Sequence, residues 1–221
     1  MTRRTPSDSE ALRAGLRQRL PAALARVGQT LPEAASARLV DYLVELHRWN
    51  RAYNLTAVTD PDGMIERHVL DSLAVRPWLA GARVLDAGTG AGLPGVVLAI
   101  AEPQRHFVLV DSAGKKIRFL RNVVRRLDLA NVEPVQSRLE SLSLDPPPDD
   151  IVARALAPLP RLIDWLAPWL DRGARLLAMK GPRAVAEAAD VPEEYRVEIH
   201  PLNWPGADTE RRLVIVRRRT G

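Results

Sequence analysis

Four glycines and two aspartates carry the most distinctive chemistry in this sequence. Asp86 ends a short apolar run, a glycine-dense turn follows, and Asp111 closes the next apolar run. Glycines let the backbone take positive φ and approach a ligand closely, and the N–H groups at the start of a following helix attract polar or anionic groups. The spacing therefore predicts a loop that holds a nucleotide-like cofactor. The glycines are Gly88, Gly90, Gly92 and Gly95.

This turn fits two different cofactor motifs. From Gly90 to Gly95 it matches G-x-G-x-x-G, the dinucleotide fingerprint, and Asp111 follows by 111 − 90 = 21 residues, where a ribose-binding acid is expected. From Asp86 to Gly92 it resembles the D-x-G-x-G-x-G motif of class I S-adenosylmethionine-dependent methyltransferases. S-adenosylmethionine carries an ammonium and a sulfonium but no phosphate, so the Asp86 carboxylate suits it and would repel a pyrophosphate. We therefore expect Asp86 near the amino-acid end of S-adenosylmethionine and Asp111 on its ribose hydroxyls.

Strand and helix patterns alternate from residue 82 onward, which predicts a parallel sheet covered by helices on both faces. Two further strand patterns, joined by a short segment, predict an antiparallel hairpin at the C-terminus. The predicted strands are 82–86, 106–111, 132–136, 150–154, 174–180, 195–201 and 211–218. The predicted helices between them are 93–101, 113–127, 159–170 and 182–189.

Three helical patterns precede the turn, at residues 9–27, 32–50 and 60–75, and Pro21 predicts a break in the first. The predicted fold is α/β: a Rossmann-like class I methyltransferase with a seven-stranded sheet and an N-terminal helical extension. We assign residues 1–78 to the extension, packed on the core, and residues 79–221 to the methyltransferase domain.

The composition excludes several kinds of site and partner. The 221 residues include no cysteine, which excludes disulfides, thiolate metal sites and a cysteine nucleophile. The four histidines have no metal-ligand spacing, and no apolar run is long enough to span a membrane. We therefore expect no metal, no membrane association and a cytoplasmic location. We also expect a monomer. The net charge of +5 suggests an anionic partner such as nucleic acid, although the arginine-rich composition also fits a coding bias.

Other segments carry a resemblance to one family. Residues 54–56 read Asn-Leu-Thr, and residues 66–72 read Glu-Arg-His-Val-Leu-Asp-Ser. Together with residues 86–95 and 111–116, they closely resemble the bacterial small-subunit rRNA guanine-N7 methyltransferase family, also called glucose-inhibited division protein B. The resemblance continues through residues 118–120, 134–140, 154–155 and 179–181. Ala153 departs from it, because the family would have serine there.

The resemblance implies a substrate and a set of cofactor contacts. The substrate is a guanosine at rRNA position 527, in the 530 loop of 16S rRNA, either in free rRNA or in a small ribosomal subunit particle. The cofactor is S-adenosylmethionine, which leaves as S-adenosylhomocysteine. By matching the family's motifs, the resemblance implies cofactor contacts at Gly88, Leu93, Leu139, Glu140 and Arg154. Our interpretation of the glycine turn adds Gly90, Asp86 and Asp111.

The remaining residues fit methylation at guanine N7. This nitrogen has an in-plane lone pair and no proton at neutral pH, so positioning matters more than a general base. Arg154 and Lys180 end the fourth and fifth strands, where we expect them to hold a phosphate or the guanine O6 edge. Further substrate candidates are His68 and the basic residues Lys115 and Arg118. His68 and Asp71 could equally form a capping or hydrogen-bonding pair.

Three alternatives stay open on these observations. The first is an S-adenosylmethionine methyltransferase that acts on a small molecule or a protein. The second is an NAD-dependent oxidoreductase, for which little chain remains to build a substrate domain. The third is an RNA-binding protein that kept the fold without catalysis.

Overall fold

The computed structural model describes residues 8–202 and 210–219, and a seven-stranded sheet forms its centre. The strand order is β3-β2-β1-β4-β5-β7-β6. Strands β1 to β5 are parallel, and β7 runs antiparallel to both β5 and β6. The five parallel strands and the C-terminal hairpin are therefore confirmed. The strands are β1 Arg83–Ala87, β2 His106–Asp111, β3 Val132–Gln136, β4 Asp150–Arg154, β5 Arg175–Lys180, β6 Tyr195–Pro201 and β7 Arg212–Arg218.

Helices cover both faces of the sheet, as the alternating pattern predicts. The central strands are buried on both sides, which is why they read as continuous apolar runs. One face packs against α1 Asp8–Arg26, α2 Glu33–Tyr53, α5 Gly95–Ala101 and α6 Gly114–Leu127. The other face packs against α7 Leu159–Leu170 and α8 Ala184–Ala189. Within the described ranges, no helix is long and apolar enough to cross a membrane.

Helix α1 runs without a break through Pro21, so the predicted interruption is wrong. A proline removes one N–H and frees the carbonyl four residues earlier. That carbonyl belongs to Arg17, and both Pro21 and Arg17 are exposed, so water can satisfy it. The buried leucines on the opposite side of α1 keep the helix together.

Helix α2 ends in a turn that positions the Asn-Leu-Thr segment. Asn54 takes a left-handed conformation at φ 48° and ends the helix. The Asn50 side chain forms two hydrogen bonds with the backbone of Thr56, which lies two residues after Asn54. Its amide group donates to the Thr56 carbonyl and its oxygen accepts from the Thr56 N–H, both at 2.8 Å. These bonds hold Thr56 where it lines the larger of two cavities.

The third predicted helix, 60–75, is confirmed as helical from Pro61 to Leu73, but it is not one regular α-helix. Asp60 caps α3, Pro61–Met64, by accepting from the Gly63 N–H at 2.6 Å. A π-helical segment, Ile65–Leu70, follows and leads into α4, Asp71–Leu73, and a 3₁₀ turn, Arg76–Trp78. π-Helical turns in proteins are rare and frequently lie at functional sites. Here the wider turn carries His68 and leads directly to Asp71.

Candidate functional site

Two adjoining cavities lie beyond the carboxyl ends of the parallel strands, where open α/β sheets bind ligands. The larger has a volume of about 740 Å³ and the smaller about 410 Å³, and Gly88, Lys116, Ala155 and Leu156 line both. Most of the predicted site residues line one cavity or the other. The larger contains Gly88, Gly90, Leu93, Arg154, Lys180 and His68. The smaller contains Gly88, Asp111, Leu139 and Glu140, whereas Asp86, Lys115 and Arg118 line neither.

The glycine turn needs glycine for both conformation and space. Gly88, Gly90 and Gly92 have φ values of +68°, +60° and +92°, which other residues rarely adopt. At Gly88 a Cβ atom would also lie 2.5 Å from the Leu156 side chain. Gly88 therefore leaves room between the turn and the loop after β4, at the point where the two cavities join.

Asp86 is fully buried beneath this turn. Its Oδ2 atom accepts a 2.6 Å hydrogen bond from the Thr89 hydroxyl and a 2.8 Å bond from the Gly95 N–H at the start of α5. Burial raises the pKa of Asp86 to about 6, although both hydrogen bonds act in the opposite direction. The carboxylate thus ties the strand end to the turn and to α5. A direct contact between Asp86 and the cofactor stays a prediction, and the burial favours a supporting role instead.

Asp111 is placed to bind a ligand hydroxyl. Its Oδ2 atom accepts from the Gly90 N–H at 3.1 Å and from the Lys116 ammonium at 3.0 Å, while Oδ1 accepts from the Ala113 N–H at 2.9 Å. A carboxylate offers about four acceptor sites, so one on Oδ1 remains for a ligand. Lys116, which lines both cavities, is a site residue that the sequence analysis missed.

Apolar and aromatic side chains form the far wall of the smaller cavity. Leu139 is buried in the 3₁₀ turn Leu139–Ser141 after β3, and Glu140 beside it is exposed. Trp165 of α7 completes this wall, and the Arg161 guanidinium lies 4.8 Å from its ring centre. A flat apolar wall close to Asp111 suits an adenosine group.

Arg154 ends β4 as predicted, and its charge is neutralised by a residue from the N-terminal helices. Its guanidinium donates to the Asp71 carboxylate at 2.8 Å and to the Arg67 carbonyl at 2.9 Å. Asp71 is buried and also accepts from Arg211 Nε at 3.2 Å. Immediately after Arg154, Ala155 takes a left-handed conformation at φ 51°, which is strained for alanine. This wall of the cleft is therefore built from three distant parts of the chain.

Lys180 ends β5 as predicted, but its ammonium already has two partners. It donates to the Ala157 carbonyl at 2.6 Å and to the Glu187 carboxylate at 2.8 Å. Glu187 also accepts from the Leu159 N–H at 2.8 Å. Burial tends to raise the pKa of Glu187, yet the Lys180 and Leu159 hydrogen bonds outweigh it and lower that pKa. Lys180 therefore holds the loop between β4 and α7, and contact with the substrate stays a prediction.

His68 lies in the cleft as a neutral ring. Its Nε2 atom lies 3.1 Å from the Thr56 hydroxyl, and only 4% of the residue is exposed. Burial lowers the pKa of His68 to about 4. The Arg154 and Arg67 charges act in the same direction, and the Arg67 carbonyl and Asp71 act against it. His68 and Asp71 therefore do not form the capping or hydrogen-bonding pair that the sequence left open. Each has its own partners, and both line the larger cavity.

Lys115 and Arg118 lie on the exposed outer side of α6, away from both cavities. The Lys115 ammonium donates to the Tyr53 carbonyl at 3.2 Å, and the Arg118 guanidinium lies 6.0 Å from the Tyr53 ring centre. Both residues thus join α6 to the end of α2 and still offer charge to solvent. Their contact with RNA stays a prediction.

Tyr42 is a supporting residue that the sequence analysis also missed. It is fully buried in α2, and its hydroxyl donates a 2.8 Å hydrogen bond to the Ala91 carbonyl in the glycine turn. Burial raises the pKa of Tyr42, so the hydroxyl stays protonated. Its spacing in the sequence is that of an ordinary core residue of α2, and no local signal marks the long-range bond. Across the described parts of the chain, no group of acidic or histidine side chains could hold a metal ion.

Known proteins resemble this chain over most of its length. The family described as rRNA small subunit methyltransferase G, or GidB, matches residues 35–215. A protein of Escherichia coli strain UMN026 named ribosomal RNA small subunit methyltransferase G is 44% identical over 200 residues, which cover 90% of this chain and 97% of that protein. The protein of the same name in Escherichia coli strain HS is 46% identical over 191 residues, 86% of this chain and 92% of that protein.

Solved structures share the fold at low sequence identity. An rRNA methylase from Streptococcus thermophilus superposes with a TM-score of 0.50 at 17% identity, over 68% of this chain and 95% of that chain. A protein of the NADB-Rossmann superfamily from Streptococcus agalactiae gives a TM-score of 0.52 at 14% identity, over 68% of each chain. These likenesses confirm the predicted Rossmann-like fold and concern the fold alone.

Proposed function

Because this chain belongs to the rRNA small subunit methyltransferase G family, we propose that it methylates N7 of the guanosine at rRNA position 527, in the 530 loop of 16S rRNA. The methyl donor is S-adenosylmethionine. Family membership also supports the D-x-G-x-G-x-G reading of the glycine turn over the dinucleotide reading.

The observation that carries this proposal is the convergence of the motif segments. Residues 54–56, 66–72, 86–95, 154–155 and 179–181 are far apart in the sequence, yet residues from each of them line one cleft. The adjoining cavity suits the cofactor, since it combines the free acceptor site of Asp111 with the apolar wall around Leu139. At the junction, Gly88 leaves space that any side chain would fill.

The protein's task in this reaction is positioning. When bound, the cofactor supplies an electrophilic methyl group on a sulfonium, and guanine N7 needs no deprotonation before it attacks. Holding both groups in line within a closed cleft is therefore the main source of rate. We assign Gly88, Gly90, Leu93, Asp111, Leu139, Glu140 and Arg154 to cofactor binding.

Three of the five cations that line the larger cavity are paired with carboxylates, which suits a product that is cationic. Methylation at N7 places a positive charge on the purine, so an unpaired cation beside the ring would oppose the reaction. Three cations of the cleft wall are each paired with a carboxylate at 3.0 Å or less: Arg154 with Asp71, Lys180 with Glu187, and Lys116 with Asp111. His68 is neutral because its pKa is lowered to about 4. We assign Lys180 and His68 to the substrate side of the cleft.

The proposal is tested by transfer of labelled methyl groups to small-subunit particles, followed by mapping of the modified nucleotide. We expect one methyl group per particle on N7 of the guanosine at rRNA position 527. Particles with adenosine at that position are the control and should accept none. Methylation of another nucleotide, or of a ribosomal protein, would contradict the proposal.

The exposed basic side of α6 supports a further assignment. We propose that Lys115 and Arg118 contact the rRNA backbone outside the cleft, since both are exposed and lie on the helix that follows Asp111. The double substitution Lys115→Gln with Arg118→Gln should weaken RNA binding without changing the affinity for S-adenosylhomocysteine. Unchanged RNA affinity would remove both residues from the interface.

The location, the oligomeric state and the domain division of the protein are further parts of this proposal. We propose a cytoplasmic monomer that acts on 16S rRNA or on the small ribosomal subunit, with residues 1–78 as a helical extension of the methyltransferase domain 79–221. Light scattering of the purified protein measures the mass, and a dimer would contradict the proposed monomer.

A further inference from the structure

The larger cavity carries more positive charge than its acids neutralise. Five cations line it, and three carboxylates are available to them when Asp111 of the adjoining cavity is included, so the balance is 5 − 3 = +2. S-adenosylmethionine itself has a net charge of +1 at neutral pH, from an ammonium, a sulfonium and a carboxylate. A ligand with this net charge does not neutralise the excess, so a polyanion matches the cavity better than the cofactor alone. The cations are Lys116, Arg154, Lys180, Arg183 and Arg211.

The excess charge belongs to two arginines. Lys116, Arg154 and Lys180 each have a carboxylate partner. Arg183 is exposed and has no carboxylate within ion-pair distance among the described residues, although its charge also helps to lower the pKa of Glu187. Arg211 shares Asp71 with Arg154. The unneutralised charge thus lies at one side of the cleft, where β5 ends and β7 begins.

Strand pairing brings these two arginines to the same edge of the sheet. In the antiparallel ladder between β5 and β7, Lys180 stands opposite Arg212. Arg211 is the residue just before Arg212, and Arg183 follows Lys180 by three residues, so both project from the carboxyl edge of β5. Both line the larger cavity.

Arg211 is held in place for ligand binding. Its backbone carbonyl accepts from the Leu202 N–H at 2.8 Å, and its Nε atom donates to the buried carboxylate of Asp71 at 3.2 Å. Among the described residues this carboxylate is the only partner of the guanidinium, and neither terminal nitrogen bonds to any of them. The side chain is 35% exposed. A guanidinium fixed at one nitrogen and open at the other two matches the paired oxygens of a phosphate.

We infer that Arg183 and Arg211 form a phosphodiester-binding pair at the rim of the cleft, which holds the RNA backbone beside the nucleotide to be methylated. Asp71 is a positioning residue in this arrangement, because it orients Arg211 and Arg154 at once. The identification of the polyanion as RNA rests on the proposed function. The assignment of the two arginines as an anion-binding pair rests on the charge and geometry of the cleft.

The test compares Arg183→Gln, Arg211→Gln and the double variant with Arg172→Gln. Arg172 is an exposed arginine like Arg183, but it lies before β5, at the opposite edge of the sheet. A fluorescent RNA that contains the 530 loop is titrated at several salt concentrations, and S-adenosylhomocysteine binding is measured by calorimetry. We expect RNA affinity to fall about 5- to 30-fold in the double variant, while the slope of log K against log salt falls by roughly 0.7 for each phosphate that is no longer bound. Arg172→Gln should change neither quantity.

Three outcomes would overturn the pair. The first is an unchanged salt slope in the double variant, and the second is an equal effect of Arg172→Gln. The third is a parallel loss of S-adenosylhomocysteine affinity, which would make the carboxylate of the cofactor the ligand. In methyl-transfer assays KM for RNA should rise while kcat stays within about threefold. If the wild-type protein binds RNA with the expected slope but methylates a different nucleotide, the proposed function fails and the phosphodiester pair stands.

Discussion

The Tyr42 hydroxyl donates a 2.8 Å hydrogen bond to the Ala91 carbonyl, so a residue of the N-terminal helices directly supports the glycine turn. Both residues are buried. Asp71 makes a second link of this kind, from the segment after the π-helical turn to Arg154 at the end of β4. The N-terminal helices therefore help to shape the cleft in addition to covering one face of the sheet.

Tyr42→Phe removes one hydroxyl and should weaken the turn. Because the Ala91 carbonyl loses its buried donor, we expect a loss of about 1 kcal/mol in the free energy of unfolding. The affinity for S-adenosylhomocysteine should fall roughly two- to fivefold, by the same order of energy. Chemical denaturation and calorimetry measure the two effects.

Tyr53→Phe is the matched control for this change. Tyr53 is also in α2 and stacks on Trp49, with ring centres 5.2 Å apart, but its hydroxyl makes no hydrogen bond with any described residue. This variant should retain both stability and cofactor affinity. Equal effects of the two substitutions would refute the role assigned to the Tyr42 hydroxyl.

Gly88→Ala should weaken cofactor binding for a steric reason. The new Cβ atom would meet the Leu156 side chain at 2.5 Å, and the backbone is already at φ +68°. Gly173→Ala separates the two causes, since Gly173 has φ +94° and open space around it. Both variants should lose about 1 kcal/mol of stability from backbone strain. Only Gly88→Ala should lose more than about tenfold in S-adenosylhomocysteine affinity, and a similar loss in Gly173→Ala would contradict this explanation.

Asp86→Asn should change how stability depends on pH. The pKa of Asp86 is raised from 3.8 to about 6 in the folded protein. Between these values the folded state holds a proton that the unfolded state has lost, so the contribution of Asp86 to stability is present below about pH 4 and is lost as pH rises through about 6. The asparagine oxygen can still accept from Thr89 and Gly95 but does not ionise. Relative to wild type, the free energy of unfolding of the variant should therefore rise by about 2–3 kcal/mol between pH 4 and pH 7.

Urea unfolding at several pH values checks this difference. The pKa of His68 is lowered to about 4, which gives stability the opposite pH dependence in the same range. His68 is unchanged in both proteins, so its contribution cancels when the two are compared. A constant difference between variant and wild type from pH 4 to pH 7 would show that Asp86 titrates normally.

Lys180→Met and Glu187→Gln distinguish two roles of Lys180. Glu187→Gln breaks the ion pair but keeps an oxygen for the Leu159 N–H, so we expect a loss of about 1 kcal/mol in stability and at most about a threefold loss in methyl transfer. Lys180→Met also removes the ammonium that faces the cleft, and methyl transfer should fall at least about tenfold. Equal losses of activity in the two variants would show that Lys180 only holds the loop after β4.

The sequence alone determined the sheet, the glycine turn and the positions of Arg154 and Lys180. Strand ends and helix starts depend on local patterns of apolar residues, and all parallel strands bring their carboxyl ends to one edge. For this reason, local patterns are enough to predict that the residues after β1, β2, β4 and β5 lie close together.

Only the tertiary structure decided which of these residues line the cavities and which are buried beneath them. Asp86 points under the turn because the Thr89 hydroxyl and the start of α5 meet it there. Arg211 reaches Asp71 across 140 residues of sequence, and no local pattern encodes such a contact. The unbroken α1 and the π-helical turn depend likewise on which backbone groups reach solvent and which are buried. These features follow from side-chain packing between distant segments, which periodicity and motif spacing do not describe.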